Sequence, residues 1–209
     1  ARLQDWWRHT ELLQSSTKVR LSGEPMTDTD LDLNGHWTID PGHSRCGFSA
    51  RHAMISTVRG SFNDVSGEVH VDVDNLDEST ARVVLKAASV DTRNDQRDEH
   101  LRSPDFFDVD RFPDITFVST NIEEIRERAY IVSGDLTIRD VTKQITIPLE
   151  LGGVMVDAFG AVRAGFEGSR RVNRRDYGLE WNMPLDKGGV LVSEKIDLEF
   201  EISLVKQDQ

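Results

Sequence analysis

The groups in this chain that could do chemistry are six histidines, one cysteine, a surplus of carboxylates and two runs of arginine. His9, His36, His43, His52, His70 and His100 form no HExxH and no Cys/His pair at zinc-finger spacing. Each therefore reads first as a hydrogen-bonded structural histidine, with a metal or haem site needing support from elsewhere in space. Ser49, in Gly47-Phe48-Ser49-Ala50-Arg51, lacks the second glycine of a nucleophile elbow and sits in an alternating stretch, so it is an ordinary strand residue. Gly152-Gly153 and Gly188-Gly189 lack the lysine or helix start of a phosphate-cradling loop and read as turn glycines. Asp95, Asp98 and Glu99 lie beside Arg93, Arg97 and Arg102, which gives either solvated ion pairs or a buried network closing one end of a fold. The run Ser169 to Asp176, with Arg170, Arg171, Arg174 and Arg175, is either a solvated loop or a basic patch facing a negative head group or the acidic helix.

Composition narrows the setting in which these groups work. The 209 residues suit one domain or one domain with an appendage. A net charge of -12 argues against nucleic acid and against docking on anionic lipid through a basic patch. The lone Cys46 forms no internal disulfide, which makes a reducing compartment, the cytoplasm, the expected location. Removal of an export signal ahead of Ala1 is the alternative. No window is long and apolar enough to span a membrane, and Asp5, Arg8 and Glu11 interrupt the opening ARLQDWWRHTELLQSS too often for a secretory signal.

The elements that must position these groups are mostly strands. Residues 1-34 are set apart as an N-terminal extension and linker: Leu3, Trp6, Trp7, Thr10 and Leu13 share one side of a short amphipathic helix, and Ser15 to Asn34 is a polar linker. From Gly35 the period is two. Strands are expected over His36 to Asp40, Ser44 to Arg51, a long stretch from Phe62 through Val73, Ala81 to Val90, Ile115 to Ile122, Ala129 to Ile138, Val141 to Leu151, Val154 to Glu167 and Val190 to Val205. A turn of helix is expected over Ala53 to Val58. A short helix is expected over Asp95 to Arg102, capped by Asn94 and ended ahead of Pro104. Long alternating strands with short turns predict an all-β protein, an antiparallel sheet closed into a barrel, with a β-sandwich as the alternative. Small residues at Ala81, Ala87, Gly134, Ala164 and Gly168 are expected to leave room for a cavity.

Several stretches together resemble the YceI-like family of polyisoprenoid-binding, lipocalin-like proteins. They are WTIDPGHSRCGFSARH from Trp37, VRGSF from Val58, the run from Asp91 to Phe117 with DTRNDQRDEHLRSPDFFD and FPDITF, GDLTIRDVTKQI from Gly134, RVNRRDYG from Arg171, and GVLVSEKIDLEFEI near the end. They recur in order across nearly the whole chain after its first segment. The family pattern has Gly where Asp140 follows Arg139, so that turn is expected to differ. The resemblance implies an eight-stranded antiparallel lipocalin-type barrel over 35-206 that holds a long isoprenoid or similar amphiphile along its axis. It also implies a soluble binding protein for a quinone or polyprenyl lipid, serving storage, transport or stress protection, with no cofactor beyond that lipid and no catalysis.

An isoprenoid tail offers no hydrogen bonds, so its site must be a dry apolar tube. At roughly 0.3 kcal/mol per heavy atom, a tail of about 40 carbons supplies near 12 kcal/mol, equivalent to nanomolar affinity. The expected tail contacts are Phe48, Phe62, Phe106, Phe107, Phe112, Phe117, Phe166 and Trp181, with Arg51, His52 and Arg93 at the mouth. Two alternatives stand beside this reading. One is an enzyme acting on the lipid through His43, His52 or Asp91; the other is a barrel with a filled core that uses Trp6 and Trp7 to bind a partner. A homodimer is expected from base rates alone.

Overall fold

The computed structural model describes residues 32-186 and 188-207; the expected helix around Trp6 and Trp7 lies outside them. Eleven strands and one helix follow in chain order: β1 (Gly35–Ile39), β2 (Arg45–His52), β3 (Ser56–Phe62), β4 (Val65–Val71), β5 (Thr80–Lys86), β6 (Val90–Asp91), α1 (Asp95–Arg102), β7 (Asp114–Arg126), β8 (Ala129–Ile138), β9 (Val141–Val156), β10 (Val162–Asn173) and β11 (Val192–Lys206). Strand β1 pairs with both β4 and β11, so the order β1-β4-β5-β7-β8-β9-β10-β11 closes on itself as an eight-stranded antiparallel barrel.

The long final strand spans two partners. Val192–Glu201 of β11 pairs with β2, and Leu204–Lys206 pairs with β1, because Pro41-Gly42 breaks what would be one strand into two. That corner is held by charge. Arg163 donates to Asp40 at 2.5 Å and to Asp157 at 2.6 Å, tying the β1-β2 corner to the β9-β10 hairpin. Leu33, just ahead of β1, is buried, and its carbonyl accepts the Trp37 indole N–H at 2.8 Å.

Three local expectations are corrected. Residues 53-55 form a tight turn, with φ of 48° at Ala53 and 64° at Met54, and β3 begins at Ser56 rather than after a turn of helix. The chain is also expected to turn at Gly152-Gly153, yet β9 runs through both glycines, and the ladder shifts register opposite them between Gly165 and Phe166. The turn falls at residues 157-161, where the Asp157 carboxylate accepts the backbone N–H groups of Phe159 and Ala161 at 2.8 and 3.0 Å. The stretch from Phe62 through Val73 is two strands, β3 and β4, separated at Asn63-Asp64.

The helix stands over one end of the barrel. The Asn94 side chain accepts from Arg97 N at 2.9 Å, as its N-cap position requires. Asp98, 5% exposed, accepts from both the backbone N and the hydroxyl of Thr92, at 2.9 and 2.5 Å. Arg97 in turn donates to the Thr92 hydroxyl and carbonyl, and Arg102 to the carbonyls of Ala88 and Val90. The polar run is therefore neither loose surface nor an arginine-carboxylate network. Its buried carboxylate is held by a threonine, and its arginines satisfy backbone carbonyls that an irregular segment leaves unpaired.

Candidate functional site

Alternation along β11 builds the wall of an internal cavity. Val192, Ile196, Leu198, Phe200, Ile202 and Leu204 all line it, so one strand follows the space from end to end. At about 3.3 Å per residue and a tilt near 40°, this corresponds to about 30 Å along the barrel axis. The cavity volume is about 280 Å³, near the lower edge of the range for ligand sites, and its reach makes it elongated rather than round. Among the described residues that line it, Cys46, Thr116, Tyr130, Arg174 and Tyr177 carry polar side-chain atoms, and the rest are apolar.

Six of the eight aromatic candidates meet in this lining: Phe48, Phe62, Phe106, Phe107, Phe117 and Phe166. Phe62 bridges Phe48 and Phe107, with centroid separations of 5.7 and 5.5 Å. Phe166 meets Tyr130 edge-on toward the other end. Phe112 and Trp181 lie outside the lining. The Phe112 ring sits beneath the guanidinium groups of Arg111 and Arg139, at 4.9 and 5.5 Å. Trp181 packs on Phe106 at 5.4 Å and edge-on to His100 at 4.6 Å, joining α1 to the segment that precedes β11.

The three mouth candidates are also outside the cavity. Arg51 is exposed and donates to the Thr57 hydroxyl and the Met54 carbonyl, bracing the β2-β3 turn. His52 is exposed at the end of β2, opposite Val192. Arg93 is exposed with φ of 60°, and its backbone N donates to Asp91 at 2.7 Å.

Small inward residues do less to open the space than expected. Ala81 lines it, but a Cβ on Gly134 would fall 2.5 Å from the Phe117 ring and 2.5 Å from the Val118 carbonyl. The glycine seats an aromatic ring, and Ala87 and Ala164, each 1% exposed, are packed core.

Arg174, which the sequence placed only within a basic run, and Tyr177, which was not a candidate, also line the cavity. They follow β10 in a 3₁₀ turn, entered at Asn173, whose side chain accepts from Arg175 N at 3.1 Å, and closed by Gly178 at φ 72°. Arg171 pairs with Asp197 and Arg175 with Glu194 on the outside of β11, which leaves Arg174 to turn inward. One arginine among four in RRVNRR carries no mark of burial, although the Asn cap and Tyr177-Gly178 do mark the turn. At Cys46, burial pushes the thiol up to about 11, so it is protonated near neutral pH.

Comparison with known proteins places this geometry. The YceI-like domain pattern matches residues 37–204. The chain belongs to the YceI-like domain family. A UPF0312 protein of Photorhabdus laumondii is 35% identical over 188 residues, which cover 89% of this chain and 94% of that protein. The crystal structure of a Campylobacter jejuni YceI protein superposes with a TM-score of 0.65 at 31% identity, covering 76% of this chain and 90% of that one. A domain from Saccharophagus degradans, described as polyisoprenoid binding and implicated in plant cell wall breakdown, shares the fold with a TM-score of 0.64. It does so at 16% identity, over 82% of this chain and 98% of that one. This YceI-like barrel has no helix, among the described residues, long and apolar enough to cross a membrane.

Proposed function

We propose that this protein is a non-enzymatic carrier that holds a long-chain isoprenoid lipid, a quinone or polyprenyl lipid, for storage, transport or stress protection. The observation that carries this reading is the elongated apolar cavity walled by the alternate residues of β11. Such a space suits a slim flexible hydrocarbon rather than a broad fused-ring ligand, and apolar contact alone supplies the affinity. The polyisoprenoid-binding description of the Saccharophagus degradans domain supports the same class of ligand. The residues an enzyme would use give the rival reading little help. His43 is spent on Asp40 at 2.8 Å, Asp91 accepts from Arg93 N and the Asn63 side chain, and neither they nor His52 lines the cavity.

The test is to block the channel. Leu198→Trp places a larger ring on the middle of the β11 wall, and it is expected to abolish uptake of an added polyprenyl quinone while leaving the β-sheet circular dichroism signal unchanged. A folded Leu198→Trp protein that takes up the quinone as well as the parent would put the ligand somewhere else.

A further inference from the structure

The apolar lining is interrupted at one end by two polar side chains nearly sealed from solvent. Arg174 is 4% and Tyr177 2% exposed, and both line the cavity near Phe106 and Leu179. They are the first and last residues of a 3₁₀ turn, where side chains three apart eclipse and leave on the same side. Arg174 Nε donates to the Ser193 carbonyl at 3.0 Å and Nη1 to the Leu179 carbonyl, while no described residue accepts from Nη2. Tyr177 Oη is buried with no hydrogen-bond partner among the described residues. An unpaired hydroxyl in a dry cavity costs on the order of 1–3 kcal/mol, and a ligand oxygen would remove that cost.

We propose that Arg174 and Tyr177 form the head-group end of the cavity and donate together to a carbonyl oxygen of the bound lipid, that of a quinone ring. This assignment rests on the carrier reading above. The donor inventory selects the chemistry. Arg174 can only donate and Tyr177 can donate, so the one group that meets both at once is an acceptor, and a carbonyl oxygen with two lone pairs takes both without bringing a donor of its own. A diphosphate would bring several negative charges to a single guanidinium in an apolar space, which leaves most of its charge unpaired. Glu194 already acts on the Arg174 charge from outside, so a neutral acceptor is sufficient. Burial also pushes the Tyr177 phenol up to about 12, which keeps it a donor near neutral pH.

The experiment titrates the full chain, and Tyr177→Phe, with an isoprenoid-tailed benzoquinone, a polyprenyl hydrocarbon lacking the ring, and a long-chain fatty acid. Because Oη bonds to no described protein group, the variant is expected to fold as the parent does. Quinone affinity is expected to fall about tenfold in Tyr177→Phe while hydrocarbon affinity stays the same. Equal quinone affinity in both proteins, with the hydrocarbon still bound, would overturn the head-group assignment and leave the carrier reading intact. A parent protein that binds neither quinone nor hydrocarbon would overturn both. A fatty acid that outcompetes the quinone, and that alone loses affinity in Tyr177→Phe, would replace the carbonyl with a carboxylate. Infrared spectra of the bound quinone give a readout independent of the variant's folding: the carbonyl stretch is expected below its frequency in hydrocarbon solvent, and an unshifted band would contradict the proposal.

Discussion

Single side chains in this barrel report directly on whether its channel is occupied. Cys46 lines the cavity with its thiol pushed up to about 11 by burial, so its reaction with a maleimide near neutral pH is expected to be slow. Loading with a polyprenyl quinone should slow it further, followed by mass spectrometry over time; equal rates in loaded and empty protein would place the ligand away from β2. Gly134 reports on packing instead. Gly134→Ala would drive its new methyl into the Phe117 ring and the Val118 carbonyl, and the backbone atom has no rotamer by which to move away. A loss of about 1–3 kcal/mol in urea unfolding is expected. The sequence shows a glycine in an alternating strand, which reads equally as spare room; only the ring seated on it decides between the two.

At the scale of elements, the corner between β1 and β2 sets the acid limit of the fold. The Arg163 guanidinium beside Asp40 holds its carboxyl at about 2, and Asp157 is lowered by the same arginine. An unfolded aspartate titrates near 3.9, so between these values the unfolded chain binds more protons than the folded one. The contribution of Asp40 is complete above about pH 4 and is lost as pH falls toward 2. After allowance for solvent screening it amounts to about 1 kcal/mol. Asp40→Asn is expected to lower stability at pH 7 and to flatten the pH dependence of unfolding between pH 4 and 2; an unchanged slope would show that the corner carries no such charge. The α1 end depends on Asp98 in a different way. Asp98→Ala would leave the Thr92 backbone N–H and hydroxyl proton buried without an acceptor, so a loss of about 2–3 kcal/mol in thermal or urea unfolding is expected.

For the whole molecule, the closed all-β architecture was readable because each wall strand buries alternate residues, and period two is the one pattern a half-buried strand must show. Helix α1 was readable for a local reason, its Asn94 cap and the Pro104 stop. The β9-β10 hairpin was misplaced because Gly152-Gly153 looks like a turn, whereas the Asp157 side chain makes the turn and the glycines mark a bulge. The cavity was only partly legible. Six aromatic candidates line it, Phe106 and Phe107 among them from the segment between α1 and β7, but the inward turn of Arg174 became visible only once β10 ended and its neighbours had paired outward with β11.

The central claim is that this channel carries an isoprenoid lipid. Native mass spectrometry of the protein purified from its source, followed by organic extraction and lipid identification, tests it most directly. The predicted result is an added mass in one-to-one ratio that extracts as an isoprenoid quinone or polyprenyl lipid. A protein of unmodified mass that also takes up no added quinone or polyprenyl lipid would contradict the claim.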